Sequence, residues 1–282
     1  MKILVTGANG QLGSELRNLV KNHPQDDFSF VTREEVPLDD LAKINQILDQ
    51  YNPDLVINAG AYTAVDKAES EPELADMVNH LAVAKIADWV KIHDAKLIHI
   101  STDYVFQGNS SVALTESEKT NPINVYGLTK QKGEQAIVKS GADAVIIRTA
   151  WVYSIYGSNF VKTMIRLMTE RNEISVISDQ IGSPTYAHDL ASAIMTIAHS
   201  EKWNSGIYHY SNEGQISWYD FAVAIREIAN LDCEINPIPT EQYPTPAKRP
   251  KYSLLDKTKI KDTFAVEIPK WEESLRVMVG KL

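Results

Sequence analysis

Short apolar runs alternate with longer amphipathic ones along the first half of the chain. Ile3-Leu4-Val5, Phe28-Ser29-Phe30-Val31, Leu55-Val56-Ile57, Leu97-Ile98-His99-Ile100 and Ala144-Val145-Ile146-Ile147 are each a few residues long and apolar on successive positions. Strands covered by helices on both faces read this way. Between them, the stretches Gln11 to Lys21, Leu41 to Tyr51, Pro72 to His93 and Gly127 to Ser140 repeat their apolar residues at helical spacing. Such a strand and helix rhythm predicts an α/β fold, a Rossmann-like doubly wound parallel sheet.

The rhythm changes after Arg148. Aromatic residues, Gly and Asn cluster in Trp151-Val-Tyr-Ser-Ile-Tyr-Gly-Ser-Asn-Phe160, and a basic helix-like run continues to Arg171. Two later strand candidates, Ile174 to Ile177 and Gly206 to Tyr210, flank a helix-like Ala187 to His199 and are expected to return to the main sheet. Prolines 237, 239, 244, 246 and 250 punctuate the tail, so a loop-rich smaller lobe is expected there. The division predicted is a dinucleotide-binding domain over 1–148 with 174–212, and a C-terminal substrate-binding lobe from 149–173 and 213–282.

Composition narrows the functional classes. No apolar run reaches the roughly 18 residues that a membrane span needs, and the opening Met-Lys-Ile-Leu-Val-Thr-Gly leaves no room for a secretory apolar segment. A cytoplasmic protein is expected. Its single cysteine, Cys233, forms no internal disulfide, and a small core residue is its expected role. A formal charge of −9 argues against a nucleic-acid surface, which needs clustered Lys and Arg to release counterions. One local basic spot, Lys248-Arg249-Pro250-Lys251, could hold an anionic ligand or be a solvated loop.

Gly7-Ala-Asn-Gly10-Gln-Leu-Gly13 follows the first strand and opens the first helix, the context in which a glycine motif points to a dinucleotide. Gly7 would allow the turn, Gly10 the approach of a pyrophosphate, and Gly13 the packing of helix on strand. At the end of the second strand an acid would select NAD(H). Val31-Thr32-Arg33 offers none, and a guanidinium suits a 2′-phosphate, so the reading leans to NADP(H) over NAD(H). Glu34 and Glu35 pull the other way. Asn58-Ala-Gly60-Ala61-Tyr62-Thr63 closes the third strand with small residues, as a backbone against a flat cofactor requires.

Tyr126 and Lys130 are four apart at the start of a helix and share a face. A neighbouring ammonium is expected to lower the phenol from its reference of about 10 and make it a usable acid-base group. The fourth strand ends Ser101-Thr102-Asp103-Tyr104, at the carboxyl edge where ligands of doubly wound sheets bind. Thr102 could donate to a substrate carbonyl oxygen beside Tyr126 while hydride arrives from a nicotinamide. Asp103 could instead cap the next turn.

These stretches resemble the dTDP-4-dehydrorhamnose reductase family. The likeness rests on Gly7 to Gly13, on Asn58-Ala-Gly-Ala-Tyr-Thr-Ala-Val-Asp-Lys-Ala-Glu69, on Ser-Thr102-Asp-Tyr-Val-Phe106 and on Asn124-Val-Tyr126-Gly-Leu-Thr-Lys130. It continues through Arg148-Thr-Ala-Trp151-Val-Tyr, Asp179-Gln-Ile-Gly-Ser-Pro-Thr185 and Tyr243-Pro-Thr-Pro-Ala-Lys-Arg249-Pro, almost the whole chain. The resemblance implies reduction of the C4 ketone of dTDP-4-dehydro-L-rhamnose to dTDP-L-rhamnose. It implies Thr102, Tyr126 and Lys130 as the catalytic trio, with Asp103 and Trp151 at the sugar; Arg249, from the basic spot, is added as a substrate contact on its charge. Gly10, Gln11, Leu12, Asp39, Gly60, Ala61 and Tyr62 match cofactor contacts, to which Arg33 is added on its chemistry.

Two departures stand out. Many relatives carry an acid where this chain has Thr32, which bears on NAD(H) use. Some build a dimer around magnesium with a glutamate matching Glu15 and an acid where this chain has His188; neutral imidazole is a poor ligand for Mg²⁺, so that metal is not predicted. A homodimer stays open. Within the superfamily, an epimerase or dehydratase is the competing reading, but a dehydratase resembles Thr-Asp-Glu where this chain has Thr102-Asp103-Tyr104. A non-catalytic nucleotide-binding subunit is the other alternative, and retention of Tyr126 and Lys130 weighs against it.

Overall fold

A computed structural model describes residues 1–282. The chain begins β1 (Lys2–Thr6), α1 (Gln11–Leu19), β2 (Asp27–Val31), α2 (Leu41–Tyr51) and β3 (Leu55–Asn58). Two short turns, α3 (Val65–Ala68) and α4 (Pro72–Asp76), lead through a π-helical turn at Met77–Leu81 into α5 (Ala82–Ile92) and β4 (Lys96–Thr102). Then come α6 (Val125–Ser140), β5 (Asp143–Thr149), β6 (Val152–Tyr153), α7 (Phe160–Glu170), β7 (Glu173–Ile177), β8 (Ile181–Gly182) and β9 (Thr185–Tyr186). The rest is α8 (Ala187–Ala198), β10 (Gly206–Tyr210), β11 (Ile216–Ser217), α9 (Trp218–Ile228), β12 (Glu234–Ile238), α10 (Thr258–Phe264) and α11 (Trp271–Val279).

Six strands form the main sheet in the order β2-β1-β3-β4-β5-β10, and every pairing is parallel. The chain steps outward from β1 to β2 and then back across to β3, so the order reverses beside β1. In open α/β sheets that reversal leaves a crevice at the carboxyl ends of the strands. Along β1 the period of two is visible: Ile3 and Val5 enter the core under α1 and α8 with Leu16, Leu190 and Ile194. Leu4 enters the opposite core under α2 and α5 with Ile44, Leu48 and Ile86. Each such buried side chain contributes about 1.5–3 kcal/mol by leaving water, so both faces hold the sheet and its apolar runs are explained.

Helix α6 starts where the sequence places it. The Asn124 carboxamide accepts from Gly127 N–H at 2.7 Å, filling an orphan donor of the first turn, and Gly141 ends the helix at φ 68°. Tyr126 and Lys130 are thereby fixed in its opening turns.

The smaller lobe packs α7, α9 and α11 around Met164, Phe221, Ile225 and Leu275. Cys233 is buried in that core. One strand departs from expectation: β7 does not return to the main sheet but pairs in parallel with β12 in this lobe. Its burial alternates, with Ile174 and Val176 inward and Glu173 and Ser175 exposed, the pattern of a strand with one wet face rather than one covered on both sides. β10 does return, beside β5. No helix is long and apolar enough to cross a membrane.

Candidate active site

Backbone proximity, not side-chain chemistry, shapes the first part of the site. Gly7 has φ 70°, and a Cβ there would lie 2.7 Å from the Gly60 nitrogen. A Cβ on Gly13 would lie 2.4 Å from the Gly7 oxygen, so that residue lets α1 seat against the turn. Helix α1 has Gly10 at its N-cap, no side-chain cap and no acid in its first turn. Its leading N–H groups are therefore available to an anion.

The turn opens onto a cavity of about 770 Å³, toward the upper end of the roughly 300–1,000 Å³ common for ligand sites. Gly7, Gly10, Gln11 and Leu12 line it, whereas Gly13 packs beneath. Beyond β2 the wall is Thr32, Arg33 and Asp39, with Arg33 Nη2 2.9 Å from Asp39 Oδ2. Next to β3 it is Gly60, Ala61 and Tyr62. Tyr62 is pinned by a residue that sequence reading missed: Asn79, in the π-helical turn, accepts from Tyr62 N–H at 2.9 Å and donates to its carbonyl at 3.0 Å. Such turns recur at functional sites, but nothing in the local residue pattern marks one.

Beyond β4 the wall carries Thr102, Asp103, Tyr126, Lys130 and Trp151. Burial pushes the pKa of the Tyr126 phenol up to about 12, a rise that the neighbouring Thr102 hydroxyl opposes. Thr102 Oγ1 donates to Asp103 Oδ1 at 3.0 Å and accepts from Tyr104 N–H at 3.2 Å. Thr102, not Asp103, thus caps the following turn. Asp103 is fully buried with Oδ2 unpartnered. Burial pushes its carboxyl up to about 6, a rise that the nearby Ser253 and Thr102 hydroxyls oppose.

Lys130 departs from expectation in its partners. Its Nζ donates to the Ile100 carbonyl at 2.6 Å and lies 3.3 Å from His99 Nε2, and it is not among the charges acting on Tyr126. The expected lowering of the phenol is absent because the amine points along β4. Burial lowers Lys130 to about 8, partly offset by Glu134. Glu134, also missed, is itself buried, forked onto Arg148 at 2.9 and 2.7 Å and hydrogen-bonded by Ser101.

Trp151 has φ 49°, a backbone region bulky residues rarely adopt, and its ring stacks on Trp218 with centroids 3.6 Å apart. Trp218 lines the cavity from the smaller lobe; its distance in sequence hid it. Arg249 is not brought to the cavity wall. Its guanidinium forks onto Asp66 at 2.7 and 2.6 Å, so an expected anion contact is instead an internal ion pair. Glu15 accepts from Ser154 at 2.6 Å and faces His188 Nδ1 at 3.3 Å.

A dinucleotide fits this wall: an uncapped helix start for a pyrophosphate, small residues along a flat ring, and a hydroxyl pair beyond β4. Together with the doubly wound sheet, these features define a reductase of the short-chain dehydrogenase type. The RmlD substrate binding domain family matches residues 1–282. The chain belongs to the dTDP-4-dehydrorhamnose reductase family of NAD(P)H-dependent oxidoreductases. It is 39% identical over 285 residues to the dTDP-4-dehydrorhamnose reductase of Aggregatibacter actinomycetemcomitans, covering 98% of this chain and 97% of that one. It is similar to the solved Clostridium acetobutylicum enzyme of that name, with TM-score 0.95, 37% identity and coverage of 100% and 99%. It is likewise similar to the Bacillus anthracis enzyme solved in complex with NADP, with TM-score 0.95, 39% identity and coverage of 100% and 99%.

Proposed function

We propose that this chain reduces the C4 ketone of dTDP-4-dehydro-L-rhamnose to dTDP-L-rhamnose with NADPH as the preferred reductant. The reading is carried by one observation: Tyr126 and Thr102 line the same cavity that the uncapped start of α1 walls. The full-length likeness to reductases of that substrate supports it.

The dinucleotide supplies a hydride when bound. Tyr126 and Thr102, whose hydroxyl turns from Asp103 Oδ1 to the ligand, hold the ketone oxygen by hydrogen bonds. As the hydride adds to C4, the carbonyl π pair moves to oxygen and Tyr126 gives up its phenolic proton, leaving a carbinol and a phenolate. A pKa near 12 keeps that phenol protonated at neutral pH, which suits a donor in the reductive direction. The phenolate takes its proton back from solvent after the carbinol leaves, and Lys130 keeps a cationic amine at the base of the cavity while the phenolate lasts. Gly10, Gln11 and Leu12 receive the pyrophosphate, Arg33 the 2′-phosphate, and Gly60, Ala61 and Tyr62 lie along the cofactor. Trp151 and Trp218 offer an aromatic face to the deoxysugar, with Asp103 nearby, so the smaller lobe completes the substrate site.

Turnover with purified keto-sugar, run separately with NADH and NADPH, tests the reading. Stoichiometric loss of cofactor absorbance with formation of dTDP-rhamnose is expected. Isomerised or dehydrated sugar without net cofactor oxidation would point to an epimerase or dehydratase.

A further inference from the structure

Below the cavity floor, buried polar side chains that the reduction does not use form a line that ends on Lys130. Thr6 Oγ1 accepts from Gly60 N–H at 3.2 Å and donates to Asn58 Oδ1 at 2.7 Å. The carboxamide thereby turns its NH₂ toward His99 Nδ1, at 3.0 Å. His99 Nε2 faces Lys130 Nζ at 3.3 Å, and Nζ donates to the Ile100 carbonyl at 2.6 Å. Thr6, Asn58, His99 and Lys130 are all buried, so each member depends on the next for its hydrogen bond.

The donors set a direction. Because Nδ1 accepts from Asn58, the neutral ring carries its proton on Nε2. That N–H points at Nζ and is satisfied only by an amine with a free lone pair. An ammonium at Lys130 needs the opposite order: Nζ donates to Nε2, Nδ1–H donates to the Asn58 oxygen, and the Asn58 NH₂ turns to Thr6. His99 cannot absorb the change by charging, since complete burial and the nearby Lys130 hold it well below the usual imidazole range.

We propose that His99 is a positioning residue for Lys130, the reversible middle of a hydrogen-bond chain from Thr6 through Asn58 whose direction is coupled to the charge on the Lys130 amine. The ends of the chain make the coupling useful. Gly60, which donates to Thr6, and Lys130 both line the cavity, at the cofactor loop after β3 and at the reacting end. The other ionisable groups near Lys130 are on named elements. Glu134 on α6 is tied to Arg148 of β5, which itself meets His209 of β10 at 3.5 Å, while Tyr126 opens α6 and Asp103 follows β4. None of these hydrogen-bonds Nζ, which leaves His99 as its only side-chain partner.

The inference rests on Lys130 serving the proposed reductase, and its test separates the two. Nitrogen NMR of isotope-labelled histidine in the full-length protein, with His99 assigned by its loss in His99→Gln, reads the tautomer without substrate. From about pH 6.5 to about pH 9.5 the His99 ring is expected to pass from Nδ1–H to Nε2–H as Lys130, lowered to about 8, gives up its proton. The ring stays neutral throughout. One tautomer across that range, or an imidazolium, overturns the proposal, and the pH series itself is read on the wild-type protein.

In kinetics, His99→Phe removes the acceptor of the ammonium form, so the alkaline limb of kcat/KM is expected to move down by about one pH unit, the worth of a charge-assisted hydrogen bond. His99→Gln, whose amide can donate or accept, is expected to remain within about half a unit of wild type. An unmoved limb in a folded His99→Phe overturns the proposal. Tautomer reversal in a protein that fails to reduce the keto-sugar would leave the chain standing and the proposed reaction refuted.

Discussion

Trp151 and Trp218 lie face to face, with ring centroids 3.6 Å apart and planes inclined by 14°, joining the edge of the main sheet to the first turn of α9. Trp151 has a left-handed φ, and its indole packs on Gly182, where a Cβ would lie 3.0 Å from it. A tight stack held this way is rigid, and in the proposed function it is the wall offered to the sugar.

Trp218→Ala removes half of that wall while leaving Thr102 and Tyr126 in place. The KM for keto-sugar is expected to rise about fivefold to tenfold with little change in cofactor KM, as loss of an aromatic contact of about 1–1.5 kcal/mol implies. Steady-state kinetics with each reactant varied distinguishes the two; equal effects on both would move the sugar elsewhere.

Arg33 is exposed and engages only Asp39 at the end of β2. Arg33→Ala is expected to raise the KM for NADPH about tenfold and leave that for NADH within about twofold, because only the phosphate loses a charge-assisted bond. Parallel kinetics with the two cofactors checks this, and an equal loss with NADH would remove Arg33 from cofactor selection.

Asp103 makes stability depend on pH. Its carboxyl is raised from 3.8 to about 6 by burial, so the folded state favours the protonated form. The stability this group confers is complete below about pH 4 and is lost as pH rises through about 6. Asp103→Asn is expected to match wild type at pH 4 and to be more stable above pH 6 by about 2–3 kcal/mol. Denaturant melts across that range measure the difference, and equal stability at pH 7 would show that the carboxylate is better solvated than its burial indicates.

The alternating sheet was legible because every main-sheet strand is a short run with its own chemistry, and β1 to β5 fall where the apolar residues cluster. β7 misled because Ile174-Ser-Val176 reads as a strand without saying which sheet it joins; its alternation was the clue to a one-sided position. The cavity-lining glycines, Thr102 and Tyr126 were legible because turns and strand ends carry local signatures. Trp218, Asn79 and His99 were not, since each is an ordinary member of an apolar stretch until folding brings it to a partner far along the chain. Arg249 shows the converse. Its basic neighbourhood suggested an anion, but Asp66, distant in sequence, satisfies its fork.

Gly13→Ala tests the phosphate turn. A methyl 2.4 Å from the Gly7 oxygen meets backbone that cannot yield cheaply, so a stability loss of about 1–3 kcal/mol is expected. Cofactor affinity should fall with it. Calorimetric titration with NADPH reads the affinity, and unchanged binding in the folded variant would separate α1 from the pyrophosphate.

The most direct measurement is the single-turnover rate of NADPH oxidation by Tyr126→Phe with saturating keto-sugar. A fall of about a hundredfold or more, with NADPH affinity within about twofold of wild type, is expected from loss of the proton donor alone. A rate close to wild type would contradict the role of Tyr126 and with it the proposed chemistry of this site.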